Sequence, residues 1–267
     1  MRKLALALGA AALLAGCAPA LREPRPLDAI AGKAGGASGS DGSLLATAEA
    51  LFAKRDVPSV RKAAETWLEA AKADPTRVDG ILGAVRARVW LAGHEANAAS
   101  RQAAAEAAVE TVQWCARTAP SEPACSYWLG VALGVQARER PSTALSALPR
   151  MVEAFERAAA AAPGLDHGGP DRALALLLVR APGWPAGPGD AERGLEHARK
   201  AVGLDGEYPP NLSALAEALS ATGSEEEGRE VAARARGLAR GRAATGDSEA
   251  REWVEEAERE GARGPRH

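Results

Sequence analysis

The side chains able to do chemistry are few and widely spaced. Cys115 and Cys125 lie ten residues apart, one closing a helical stretch and the other entering the next, across Ala119-Pro120-Ser121-Glu122-Pro123. A short turn between antiparallel helices brings Cα atoms within the roughly 4.4–6.8 Å that a disulfide needs, and exported proteins keep such bonds. Two reduced cysteines serving as small residues at a helix contact are the other reading. A metal site would need further ligands at suitable spacing, and none is nearby. The four histidines, His94, His167, His197 and His267, include no HExxH and no pair at helical spacing. No Gly-x-Ser-x-Gly nucleophile turn occurs, and Gly187-Pro188-Gly189-Asp190 lacks the Lys and preceding strand of a phosphate loop. The run Glu225-Glu226-Glu227 suits a solvated helix start, where negative charge meets the positive dipole end. The residues predict no catalytic constellation, no metal and no cofactor, and the protein is read as a non-enzyme.

Three residues stand out as ligand- or partner-binding candidates. Arg172 falls in the first turn of an apolar helix after Gly168-Gly169-Pro170. It either reaches into a cleft to hold an acidic group, or pairs with Asp166 or Asp171 and fixes the loop. Trp184, between Gly183 and Pro185, either walls a cleft or plugs a gap between repeats. Tyr127 is adjacent to Trp128 and points another way on the same helix, so Tyr127 is expected on the concave face. Trp128 is expected in the core with Trp67, Trp90 and Trp114.

The elements that carry these residues follow from composition. Of 267 residues about one in four is Ala, only Ile30 and Ile81 are Ile, and there are six Trp against two Phe and two Tyr. Ala, Leu, Arg and Glu favour helix and β-branched residues are scarce, which argues against a sheet. The net charge of −2 lacks the basic excess that nucleic-acid binding requires. The expectation is an all-α fold with Ala at close helix contacts.

The first residues read as an address. Arg2 and Lys3 precede an apolar run from Leu4 to Leu14, then Leu14-Ala15-Gly16-Cys17. A positive start, a short apolar stretch and small residues describe a secretory signal over 1–16, too short for a membrane-spanning helix of about 20 residues. Leu-Ala-Gly-Cys resembles the lipobox of bacterial lipoproteins, which implies lipidation of Cys17 and attachment to a membrane through acyl chains. Ala18 rather than Asp after the Cys implies, by the same resemblance, an outer-membrane location facing the periplasm. Residues 17–43, rich in Pro, Gly, Ala and Ser, are expected as the lipidated Cys and a flexible tether reaching about 25–30 Å.

A pattern recurs beyond the tether: a bulky residue, a small residue three later, then Pro or Gly five further on. It occurs as Trp67-Ala70-Pro75, Val112-Cys115-Pro120 and Phe155-Ala158-Pro163, and more weakly as Ala198-Ala201-Gly206. The breakers at 75, 120, 163 and 206 are 45, 43 and 43 apart. Each interval holds two helices and their turns, matching the second half of a tetratricopeptide unit, although that unit is usually about 34 residues. The excess is placed in loops, notably 137–149 and 181–190. Tyr127-Trp128-Leu129-Gly130 fits a first half. The prediction is a tetratricopeptide-like helical solenoid of about 10–11 helices over 44–245, with a C-terminal helix and tail over 246–267. The helices are expected at about 43–54, 58–73, 76–92, 97–118, 122–137, 142–161, 169–180, 189–203, 208–221, 224–241 and 247–260. The last of them either caps the solenoid or frays.

One stretch carries a family resemblance. Gly168-Gly169-Pro170-Asp171-Arg172 leads into Pro182-Gly183-Trp184-Pro185, Gly189-Asp190 opens the next helix, and Tyr208-Pro209-Pro210-Asn211-Leu212 follows. This order resembles the TatT family, tetratricopeptide lipoproteins associated with TRAP transporters. The resemblance implies a periplasmic partner, the solute-binding protein of a TRAP system, and a part in ligand uptake. The alternatives are a stand-alone carrier of a small apolar ligand in a helical cleft, or a general envelope lipoprotein that binds other proteins. A homo-oligomer is left open, as are the partner and ligand.

Overall fold

The computed structural model describes residues 19–31, 41–74 and 77–263. The signal segment, Cys17 and Pro75 lie outside them. The elements are α1 (Leu27–Ala31), α2 (Asp41–Phe52), α3 (Val57–Ala73), α4 (Val78–His94), α5 (Ala98–Thr118), α6 (Pro123–Glu139), α7 (Ala144–Ala161), α8 (Gly169–Arg180), α9 (Ala191–Leu204), α10 (Pro209–Ala221), α11 (Glu225–Ala244) and α12 (Ser248–Arg263). Short 3-10 turns cover Pro141–Thr143 and Leu165–His167. Among the described residues there is no strand, only an isolated bridge between Gly183 and Gly189. The all-α expectation holds, and each predicted helix is found.

The repeated breakers work as the spacing implies. Asp74, Ala119, Ala162 and Asp205 each precede a breaker and close α3, α5, α7 and α9. All four leave helical geometry in the same way, with φ between −136° and −148° and ψ between 70° and 95°. At the first three, a following Pro disfavours the helical region and pushes the chain toward extended backbone. Asp205, before Gly206, adopts the same geometry. Each also donates its backbone N–H at 2.8–3.1 Å to the carbonyl of Ala70, Cys115, Ala158 or Ala201. These acceptors are the small residues of the pattern, so one position both admits a neighbouring helix and receives the terminating bond.

The bulky member packs onto glycine. The Trp67 ring occupies the place where a Cβ on Gly83 would stand, and the Phe155 ring does the same at Gly130. Side chains at these two sites would exclude the rings. N-terminal caps come from Asp56, Asn97, Glu122 and Asp190, whose side chains accept backbone N–H groups. Asp56 and Asp190 are readable from sequence. Ser121 looks like the cap before α6, but Glu122 takes that place.

Consecutive helices pack antiparallel throughout α2 to α11. In addition α4 packs on α2 and α6, α6 touches α8, and α8 packs on α10, while no comparable contact joins α3, α5, α7 and α9. The even-numbered helices therefore form the inner face and the odd-numbered ones splay outward, as in a curved solenoid. The core is correspondingly a chain of clusters. One centres on Trp67, Leu68 and Trp90, the next on Ile81, Val112, Leu133 and Phe155, and the last on Leu195 and Leu219. Fully buried alanines thread all three, including Ala48, Ala84, Ala108, Ala158 and Ala198.

Three sequence expectations are corrected. Loop 137–149 shrinks to Arg140 and one 3-10 turn, because α7 starts at Ala144 and holds Pro149 in its interior. Longer helices, such as the 21 residues of α5, absorb that part of the excess. Within the tether, residues 19–31 lie on the body. Arg25 donates its backbone N–H and its guanidinium to Glu110 at 2.7–2.9 Å, and its carbonyl accepts from Trp114 Nε1 at 2.9 Å. Ala20 and Ile30 are buried, and α1 sits in the outer groove against α3 and α5. A Pro-rich segment reads as solvated until a groove is available to receive it. Trp114 and Trp128, expected in the core, are half-buried and pack against its edge, and the Trp114 indole donates to the strap.

Replacing Gly130 by Ala should destabilise the fold by about 1–3 kcal/mol, since Phe155 must leave its rotamer; the denaturation midpoint checks this. The hydrogen bonds from Arg25 hold the Glu110 carboxyl below the ordinary glutamate range. A depressed folded-state value means that the clamp contributes fully above the ordinary pKa and is lost as pH falls through the lower one. Amide exchange in residues 19–31 should therefore quicken below about pH 4, and Glu110→Gln should give the fast exchange at neutral pH.

Candidate functional site

Two groups of polar and aromatic side chains meet around the inner helices. The first is built on the turn before α8. Asp166, His167 and Gly168 have φ of 49°, 57° and 83° in succession. Asp and His tolerate this left-handed region better than most residues, and here side chains hold it. Arg172 donates to the Asp166 carbonyl at 3.1 Å, the Asp166 carboxylate at 2.7 Å and Asn211 Oδ1 at 2.9 Å. Tyr127, from the second turn of α6, donates its hydroxyl to the same carboxylate at 2.5 Å. Asn211, fully buried at the start of α10, donates to the carbonyls of His167, Ala201 and Asp205. The His167 ring stacks on Tyr208 with centroids 4.3 Å apart, and Nδ1 meets Asp205 at 2.8 Å.

Burial and the Asp166 charge push the Tyr127 hydroxyl well above its ordinary range, with Arg172 pulling the other way. Tyr127 therefore stays a neutral donor. Burial raises Tyr208 likewise. The network joins α6, α8, α9 and α10, so it locks three successive repeats.

The second group receives α12. This helix turns back after Gly246, at φ 98°. Trp90 of α4 donates Nε1 to Glu252 at 3.0 Å, and Arg55 faces Glu249 and Glu252 at 3.8 and 3.7 Å. Trp253 meets Tyr208 edge-on at 5.3 Å, under the Arg242 guanidinium. The first two repeats and the fifth are thus bridged by one helix.

Each candidate residue has a definite place. Arg172 pairs with Asp166, whereas Asp171 takes His197 Nδ1 at 2.7 Å. Tyr127 is not on the concave face: it is buried against Trp128 and Phe155, because Asp166 satisfies its hydroxyl without water. Trp184 neither walls a cleft nor plugs a gap: it is 90% exposed. Its loop is nevertheless ordered by bonds from Gly189 N–H to the Pro182 carbonyl and from Ala186 and Gly187 N–H to the Gly183 carbonyl. Tyr127 and Arg172 come together; Trp184 stands apart from both. Cys115 and Cys125 are joined across the α5–α6 turn with Cα atoms 5.4 Å apart.

Sequence reasoning missed Asn211 as a functional position, although it lies in the family-like stretch. It also missed Arg88, whose partners are the Thr111 hydroxyl and the carbonyls of Ala107 and Ile30. Burial lowers Arg88 to about 10. No local pattern announces it, since the strap that covers it is 58 residues away. Arg88 lines a cavity of about 540 Å³ together with Arg61, Glu65, Glu95 and small side chains of α5. Among the described residues no group of three or more His, Cys, Asp or Glu is placed to hold a metal, and no helix is long and apolar enough to cross a membrane.

The fold has known counterparts. The tetratricopeptide protein TTC0263 of Thermus thermophilus superposes with a TM-score of 0.60 at 16% identity, over 82% of this chain and 98% of that one. The MamA RS-1 ArsTM double mutant gives 0.50 at 18% identity, over 77% and 98%. The chain has a tetratricopeptide-type fold. No family model and no curated protein matches it.

Replacing Arg172 by Met should cost about 3–5 kcal/mol, because Asp166 is left with an uncompensated charge beside a buried hydroxyl. Thermal unfolding measures this, and loss of protection in the α8–α10 amides locates it. A change below about 1 kcal/mol, as for a surface ion pair, would show that the network carries little of the fold.

Proposed function

We propose that the protein is a lipid-anchored periplasmic scaffold of the TatT kind, which docks the solute-binding protein of a TRAP-type transporter and takes part in ligand uptake. The observation that carries this reading is how the family-like residues are arranged. Arg172 and Asn211, 39 residues apart, bond directly to each other. The stretch between them contributes the ordered loop that presents Trp184 to solvent. An exposed tryptophan on a hydrogen-bonded loop loses little conformational freedom on binding, which suits an interface anchor. The general scaffold role rests on the fold; the lipid anchor and the transporter partner rest on the lipobox and the family resemblance.

The strap changes the geometry of anchoring. Ala20 is buried in the body, three residues from Cys17. At about 3.3–3.6 Å per residue, an acylated Cys17 would hold the body within roughly 10 Å of the bilayer surface. The stand-off of about 25–30 Å expected from a free tether is then lost. The apolar-carrier alternative gains less support, since the cavity beside Arg88 is lined by two arginines and two glutamates besides apolar side chains.

Cys17→Ser should move the protein from the membrane to the soluble fraction; retention would refute lipid anchoring. The soluble form should recover a solute-binding protein from a periplasmic extract of its own source. Trp184→Ala should weaken that recovery tenfold or more while changing stability by less than about 0.5 kcal/mol. Unchanged recovery would remove Trp184 from the interface, and recovery of no partner would remove the transporter role.

A further inference from the structure

The C-terminal helix has the properties of a ligand rather than of a core element. Only Ala250 of its described side chains is fully buried, while Trp253, Val254 and Glu252 are half-buried. Its contacts with the earlier repeats are one hydrogen bond from Trp90 and two long ion pairs from Arg55. With the last repeats it shares the Tyr208–Trp253 edge contact and the Arg242 guanidinium. The two ion pairs are long, at 3.8 and 3.7 Å, and share the one Arg55 guanidinium, so each contributes less than a close pair of its own would. The seat is shallow by comparison with the interfaces inside the solenoid.

The helix is also able to leave intact. Its N-terminus is capped by its own preceding residue, Asp247, whose Oδ1 accepts from Glu249 and Ala250 N–H at 3.0 Å each. The joint with α11 is Gly246, in the left-handed region. Rotation there withdraws one fully buried side chain, the small Ala250, from the body. Burial pushes the Glu249 carboxyl up, with Asp166, Asp247 and Glu252 adding to this and Arg55 opposing it. The ionised side chain is therefore better solvated when the helix is released. The helix carries six Glu against three Arg and one Trp, and the seat offers Arg55, Arg242, the indole N–H of Trp90 and the Tyr208 ring.

We propose that this inner-face seat is a docking site for an acidic, tryptophan-bearing amphipathic helix of a partner protein, and that α12 is its resident stand-in, displaced when the partner binds. The inference deepens the scaffold reading and needs no particular transporter. Its physical basis is effective concentration: a tethered helix competes at about millimolar level, so a weak seat suffices to keep the face closed until a better-matched helix arrives.

The test uses the full chain carrying Glu252→Lys and Trp253→Ala, with a labelled peptide of residues 247–263 as the probe. Amide exchange over 248–260 should quicken at least tenfold while α4 to α10 keep their protection. The altered chain should bind the wild-type peptide at least tenfold more tightly than the unaltered chain does, and a peptide lacking Trp253 should bind neither. If the double substitution disturbs the body, Glu252→Ala, which only shortens a half-buried side chain, should give the same order with a difference of threefold or more. Equal peptide binding by altered and unaltered chains would overturn the proposal. So would no binding to an altered chain whose α4–α10 protection is intact. Recovery of a solute-binding protein is measured separately, so failure of the transporter reading leaves these outcomes unaffected.

Discussion

The structure depends on how closely two helices can approach at a small side chain. Ala70, Cys115, Ala158 and Ala201 occupy equivalent places near the ends of four outer helices. Each leaves room for a neighbour and accepts the bond that ends its own helix. Where the contact is with a large ring, the facing helix supplies glycine, as Gly83 does for Trp67 and Gly130 for Phe155. With few large aliphatics, close packing of alanine-rich surfaces supplies dispersion contacts that bulk would otherwise provide.

A stack built this way is stabilised between neighbours only, so its flanks and ends must be covered. The strap through residues 19–31 fills the outer groove between α3 and α5, held by Arg25 on Glu110 and by Arg88 on the Ile30 carbonyl. At the other end α12 closes the inner face from the fifth repeat back to Trp90 and Arg55. The two closures differ in kind. A bidentate guanidinium, three bonds to or from the strap backbone, and the buried Ala20, Pro24 and Ile30 fix the strap. Two long ion pairs, one hydrogen bond from Trp90 and the half-buried Trp253 against Tyr208 hold α12.

Charge is managed by turning it inward at one junction. Asp166 accepts from Arg172 and Tyr127, and Asn211 ties both to α10. A carboxylate in a strained turn is tolerated because its partners are all satisfied. The outcome is that the start of α8 is fixed to α6 and α10, while the Pro182–Gly189 loop beyond its far end is held by its own backbone bonds, with Trp184 left in solvent.

Much of this was legible in the chain itself. The helices, their breakers and the Asp56 and Asp190 caps follow from local steric and hydrogen-bonding rules that act within one or two turns. The near-regular breaker spacing implied a solenoid, because stacked repeats must present the same contact at each interval. The pairing of Arg172 with Asp166 was one of two readings, and six residues of separation made it available. What only the tertiary structure decided involves partners far apart in sequence. Tyr127 goes inside because Asp166 reaches it from 39 residues away. The strap docks because Glu110 and Trp114 lie 85 and 89 residues on. The last helix crosses the inner face because Trp90, 162 residues earlier, offers a donor there. Periodicity says which face of a helix is apolar, but not which distant segment will cover it, since that depends on the curvature summed over all the repeats between.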